Sequence, residues 1–82
     1  MTPQLLLYTR KDCCLCDEMK AALRAVGEKI PLQVEEIDVD AAPDLAALYG
    51  SEVPLLFIDG RKAFKYRVTA QELEKKLTRG TL

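Results

Sequence analysis

The chain contains no histidine and no tryptophan. Without histidine there is no Cys–His or Ser–His–Asp nucleophile system, and most metallohydrolase sites are excluded with it. Cysteine is scarce: three in 82 residues, at Cys13, Cys14 and Cys16. Nothing elsewhere can pair with them, so a disulfide framework that staples distant loops is excluded. A structural zinc site within one chain needs four ligands and is excluded as well. No apolar run approaches the roughly 18 residues of a membrane helix, and Met1 to Leu7 lack the basic and apolar regions of a signal peptide. The expected location is cytoplasmic, away from membranes. A formal net charge of −1, from 12 basic and 13 acidic residues, excludes a general nucleic-acid binder.

What remains is an ordinary folded composition, 49% hydrophobic and 30% charged, expected as one domain over residues 1–82. A chain of this size buries only about 60% of its unfolded surface, so its core is thin. A surface site using local chemistry is the realistic expectation. Charge is unevenly spread. Residues 12–59 carry three basic and eleven acidic groups, whereas residues 60–82 carry seven basic and two acidic ones. The basic C-terminal stretch reads either as a solvated face or as a contact for an anionic partner.

Leu5–Thr9 is a short apolar run and reads as a central strand. Asp12 is placed to cap a helix. Leu15, Met19, Ala22, Leu23 and Val26 then mark one helical face, which Gly27 closes. After Pro31, residues 32–40 alternate like a strand, with a slip at Glu35-Glu36 that fits a bulge or an edge position. Residues 41–49 read as a short helix, with Pro43 in its first turn and Leu45 and Leu48 pointing inward. Leu55–Ile58 reads as a second buried strand, and Asp59-Gly60 as a type I′ hairpin turn into a strand over 62–67. Thr69 to Glu72 matches a capping box, and Ala70, Leu73 and Leu77 give the closing helix its inner stripe. The order β-α-β-α-β-β-α predicts an α/β fold: a four-stranded mixed sheet with helices on both faces.

The cysteines lie where the first strand gives way to the first helix. Unpaired N–H groups and a positive dipole there favour a thiolate at Cys13. Arg10 and Lys11 add positive charge, while Asp12, Asp17 and Glu18 oppose it. Cys16, one turn further in, is placed to attack a mixed disulfide at Cys13. Cys14 should point elsewhere, as a tolerated small apolar residue or as a further redox thiol.

A C-x-x-C at a strand-to-helix junction, followed by β-α, Val53-Pro54, a hairpin and a helix, resembles the glutaredoxin-like branch of the thioredoxin superfamily. The stretch Leu7 to Glu18 is similar to a small glutaredoxin-like group with the pattern Y-T-R-x-x-C-x-L-C-[DE]. The resemblance implies a thioredoxin fold and a cis bond before Pro54. It also implies that the Val53 backbone receives an extended substrate. Arg10 fills the basic position that glutaredoxins keep before the nucleophile. The Gly-Gly pair that holds glutathione in glutaredoxins is replaced here by Tyr66-Arg67-Val68-Thr69.

The expected function is a cytoplasmic thiol–disulfide oxidoreductase. Cys13 is the nucleophile and Cys16 the resolving thiol, with Arg10, Lys11, Val53 and Pro54 as substrate-binding residues. No tightly bound cofactor and no intrachain metal are expected, with glutathione as a possible electron donor. The expected partner of a monomeric chain is a disulfide-bearing protein or a glutathione mixed disulfide. Two alternatives stand beside it: an iron–sulfur cluster carrier using Cys13 of two chains, and a non-catalytic adaptor acting through the basic C-terminal stretch.

Overall fold

The computed structural model describes residues 2–80. Met1, Thr81 and Leu82, which the expected domain 1–82 includes, lie outside the described residues. The elements run β1 (Gln4–Thr9), α1 (Cys14–Gly27), β2 (Gln33–Asp38), a 3₁₀ turn (Val39–Ala41), α2 (Pro43–Tyr49), β3 (Leu55–Ile58), β4 (Arg61–Lys65) and α3 (Ala70–Gly80). The sheet order is β2-β1-β3-β4. β1 pairs in parallel with β2 and antiparallel with β3, and β3 pairs antiparallel with β4. This is the expected four-stranded mixed sheet of a thioredoxin fold.

Alternation along β1 divides the core. Leu5 and Leu7 face one side, where they pack with Met19, Leu23 and Val26 of α1, Leu56 of β3, and Leu73 and Leu77 of α3. Tyr8 faces the other side with Val39 and Leu55, and Leu45 and Tyr49 of α2 close over them. Helices therefore cover both faces, which is why central β1 reads as a nearly continuous apolar run.

β2 lies at the sheet edge, and its pairing with β1 runs without a register shift. The slip at Glu35-Glu36 thus reflects a half-wet edge and not a bulge. Leu48 was expected inward, yet it is 63% exposed. Leu45 and Tyr49 are the α2 residues that meet the sheet. The Asp59-Gly60 turn has both residues at positive φ, 50° and 84°, as a type I′ hairpin requires. β4 stops at Lys65 and does not reach residue 67, because Tyr66 turns into the left-handed region at φ 71°.

The capping box forms as expected. The Glu72 N–H donates to Thr69 Oγ1 at 3.1 Å, and the Thr69 N–H donates to Glu72 Oε1 at 3.4 Å. Thr69→Ala is expected to destabilise the fold by about 1 kcal/mol. Urea unfolding measures this, and an unchanged midpoint would contradict it.

Candidate functional site

β1 ends at buried Thr9, and the chain turns through Arg10, Lys11 and Asp12 into α1. Asp12 adopts a left-handed conformation, φ 57°. It makes the turn and so does not cap the helix, contrary to the sequence expectation. The cap is Cys13, extended at φ −107° and ψ 107°, whose Sγ accepts the N–H of Cys16 at 3.2 Å. A sulfur thus takes the place of the usual capping oxygen, at the end of the helix where negative charge is favoured.

The helix also sorts the three thiols. Cys13 is half-buried, Cys14 is exposed and Cys16 is 1% exposed; all three are free. The inner stripe of α1 begins at Cys16, with Leu15 only partly buried, one position later than the sequence pattern placed it. Burial, and then the hydrogen bond to Cys13, push the Cys16 thiol up to about 11. A backbone hydrogen bond from Arg10 and the charge of Lys20 pull the other way. Lys20 is a residue that sequence reasoning left on the polar side. It ion-pairs with Glu36 of β2 at 2.8 Å.

The raised Cys16 value has a consequence for stability. A thiol that holds its proton more tightly when folded stabilises the fold below its unfolded value, and that contribution is lost as pH rises through the folded value. The reduced chain is therefore expected to lose stability between the ordinary 9.0 and about 11. Cys16→Ala should lose less over the same interval. Urea midpoints measured across that range check this, and parallel curves for the two proteins would contradict it.

Leu55 pairs with Tyr8, so the preceding Val53 and Pro54 reach the end of the sheet where β1 runs out toward Cys13. Their peptide is cis, as the resemblance implies. Pro54 is fully buried and Val53 half-buried. Among the described residues no hydrogen bond engages the Val53 backbone. Tyr66 ties this loop down, with its N–H donating to the Pro54 carbonyl at 2.8 Å and its hydroxyl to the Ser51 carbonyl at 3.2 Å. Sequence reasoning missed this anchor. Its one signal was an aromatic residue at the close of a basic strand, and nothing marked the left-handed turn.

The two basic residues before the cysteines part company. Lys11 is exposed and forms no ion pair among the described residues. Arg10, expected to meet substrate, has its guanidinium on Asp40 of the 3₁₀ turn, with Nε at 3.0 Å from Oδ2 and Nη2 at 3.1 Å from Oδ1. Among the described residues no three His, Cys, Asp or Glu side chains are grouped as metal ligands. Cys16 is buried, so of this pair Cys13 is the thiol within reach from outside.

An uncharacterised protein of Mycobacterium tuberculosis is 30% identical over 84 aligned residues, covering 96% of this chain and 87% of its own length. The structural-genomics target protein XcR50 from X. campestris is 30% identical, with a TM-score of 0.79 over 92% of this chain and 96% of that one. Desulfothioredoxin from Desulfovibrio vulgaris Hildenborough is 25% identical, with a TM-score of 0.72 over 96% of this chain and 82% of that one. The model of the glutaredoxin-like domain family (DUF836) matches residues 4–78, a span that runs from β1 through the cysteine junction into α3, and on that match the chain belongs to this glutaredoxin-like family of the thioredoxin fold.

Proposed function

We propose that the chain is a thiol–disulfide oxidoreductase of glutaredoxin-like type, with Cys13 as nucleophile and Cys16 as resolving thiol. One observation carries the reading: Cys13 Sγ sits on the N–H of Cys16 at the start of α1, while Cys16 itself is buried. Cys13 Sγ meets the positive end of the helix, where negative charge is favoured, and its partial exposure lets a disulfide approach.

The Cys13 thiolate attacks one sulfur of the substrate, forms a mixed disulfide and expels the other sulfur as a thiolate. The Cys16 thiol then loses its proton and attacks Cys13 Sγ, forming the Cys13–Cys16 disulfide and expelling the second substrate thiolate. Two electrons pass from the chain's dithiol to the substrate disulfide. The Cys16 proton ends on one product thiol, and the proton that Cys13 gave up on ionising returns from solvent to the other.

The order of the steps follows from Cys16. Its proton is held by burial and by the hydrogen bond and charge of Cys13. Once Cys13 is capped by substrate its charge no longer opposes ionisation of Cys16, and burial is the larger part of the hold that the second attack must overcome. Val53, with its backbone free, receives an extended substrate segment as an added strand would, and Lys11, exposed two residues before Cys13, is the cation offered to it. The substrate is a disulfide-bearing protein or a glutathione mixed disulfide, met by a monomeric chain in a reducing, cytoplasmic setting. The proposed donor is glutathione or a thioredoxin reductase, and no tightly held cofactor is required. Among the described residues no helix is long and apolar enough to cross a membrane.

The test is reduction of the oxidised chain by glutathione and, in parallel, by thioredoxin reductase. Recovery of two thiols with either donor supports the reading and names the donor. A chain that forms no disulfide under mild oxidants and reduces none contradicts it.

A further inference from the structure

Arg10 leaves β1 just ahead of Cys13, where a guanidinium would meet a carboxylate on an incoming disulfide. Three of its five N–H donors are already engaged. Besides the two-point contact with Asp40, Nη1 donates to the Gly50 carbonyl at 3.3 Å. This fork-to-fork geometry is the one in which guanidinium and carboxylate match best. Asp40 is held in turn, because its N–H donates to Asp38 Oδ1 at 2.9 Å beside fully buried Val39. Gly50 keeps the space open, since a Cβ there would lie 2.9 Å from Arg10 Nη2. The exit of β1, the 3₁₀ turn and the end of α2 therefore converge on one guanidinium. Asp38 and Cys13 are also close enough to act on its charge.

We propose that Asp40 sets the charge selectivity of the Cys13 site, holding Arg10 so that carboxylate-bearing small disulfides are disfavoured and uncharged segments of protein disulfides are preferred. This rests on the thiol–disulfide reading of the site and names its substrate class. A substrate carboxylate must displace Asp40 to take the two-point face of Arg10, which exchanges one carboxylate for another at no gain, and one that takes a remaining Nη N–H meets a guanidinium whose charge Asp40 already balances. The displaced Asp40 remains nearby and repels it. A neutral disulfide meets neither penalty. Asp40 acts here as a positioning residue, since it works through Arg10 and touches no reacting atom.

The experiment is single-turnover oxidation of the fully reduced chain by oxidised glutathione and by the neutral bis(2-hydroxyethyl) disulfide. The readout is the ratio of the two rate constants. Asp40→Asn is expected to raise the glutathione-to-neutral ratio by about threefold, the scale of an exposed ion pair. The rise should shrink with added salt. Asp40→Glu should return the ratio toward the parent value, and Asp40→Asn combined with Arg10→Ala should abolish the rise. A ratio unmoved by Asp40→Asn, or a rise that persists without Arg10, overturns the proposal while leaving the oxidoreductase reading intact. A parent chain that reacts with neither disulfide overturns both.

Discussion

Cys13→Ser is expected to lower disulfide reduction by at least about a thousandfold, the scale on which enzymes lose rate when a covalent nucleophile is removed. Cys13 caps α1 with its sulfur and is half-exposed, whereas Cys16 is buried beneath the helix start with its proton held up to about 11. No other thiol in the chain occupies the cap. Cys16→Ser should behave differently: the first attack survives, and the chain stalls as a mixed disulfide on Cys13. Cys14→Ser should turn over like the parent, because an exposed side chain on the outer face of α1 is not needed for either step. Single-turnover rates together with intact-mass detection of the trapped adduct measure all three. If Cys16→Ser is inert and Cys13→Ser traps substrate, the assigned roles are reversed. If no single substitution matters, the adaptor reading takes over.

The largest stability effect is expected at Leu7. It is fully buried at the centre of the sheet, where it pairs with Leu56 and meets residues of both α1 and α3. Truncation to alanine leaves a cavity beneath α1 and α3, which share that face of the sheet and cannot both close into it. Leu7→Ala should therefore cost about 2–5 kcal/mol. Against a total stability of about 5–15 kcal/mol for a domain, and a thin core here, that is enough to unfold much of the population. Leu48, 63% exposed, supplies the contrast, and Leu48→Ala should stay within about 0.5 kcal/mol. Urea unfolding decides both. A loss under about 1 kcal/mol at Leu7, or a loss at Leu48 of comparable size to that at Leu7, would contradict the packing described.

Local signals carried most of the architecture. Leu5–Thr9 and Leu55–Ile58 are apolar runs of strand length, and both are strands beside each other in the sheet. Asp59-Gly60 and Thr69–Glu72 name their own geometry, because a type I′ turn and a capping box depend on residues close in sequence. Features that depend on backbone sign or on distant partners were not legible. Asp12 is the better cap by residue type, and only its left-handed turn hands the cap to Cys13. Tyr66 gives no sign that it will turn left-handed, a conformation uncommon for a bulky residue. The sequence pattern puts Leu48 on the inner stripe of the short helix α2, and only the sheet face gives that place to Tyr49. At the site, Cys13, Cys16, Val53 and Pro54 were named from spacing and resemblance. The pairing of Arg10 with Asp40 joins two residues 30 positions apart, and no pattern of residues announces it.

Peptide mapping of the chain after reaction with one equivalent of a small disulfide tests the central claim most directly. The account predicts a single intrachain bridge between Cys13 and Cys16, with Cys14 recovered as a free thiol and two substrate thiols released per chain. A bridge that includes Cys14, or three cysteines all recovered as free thiols, would contradict it.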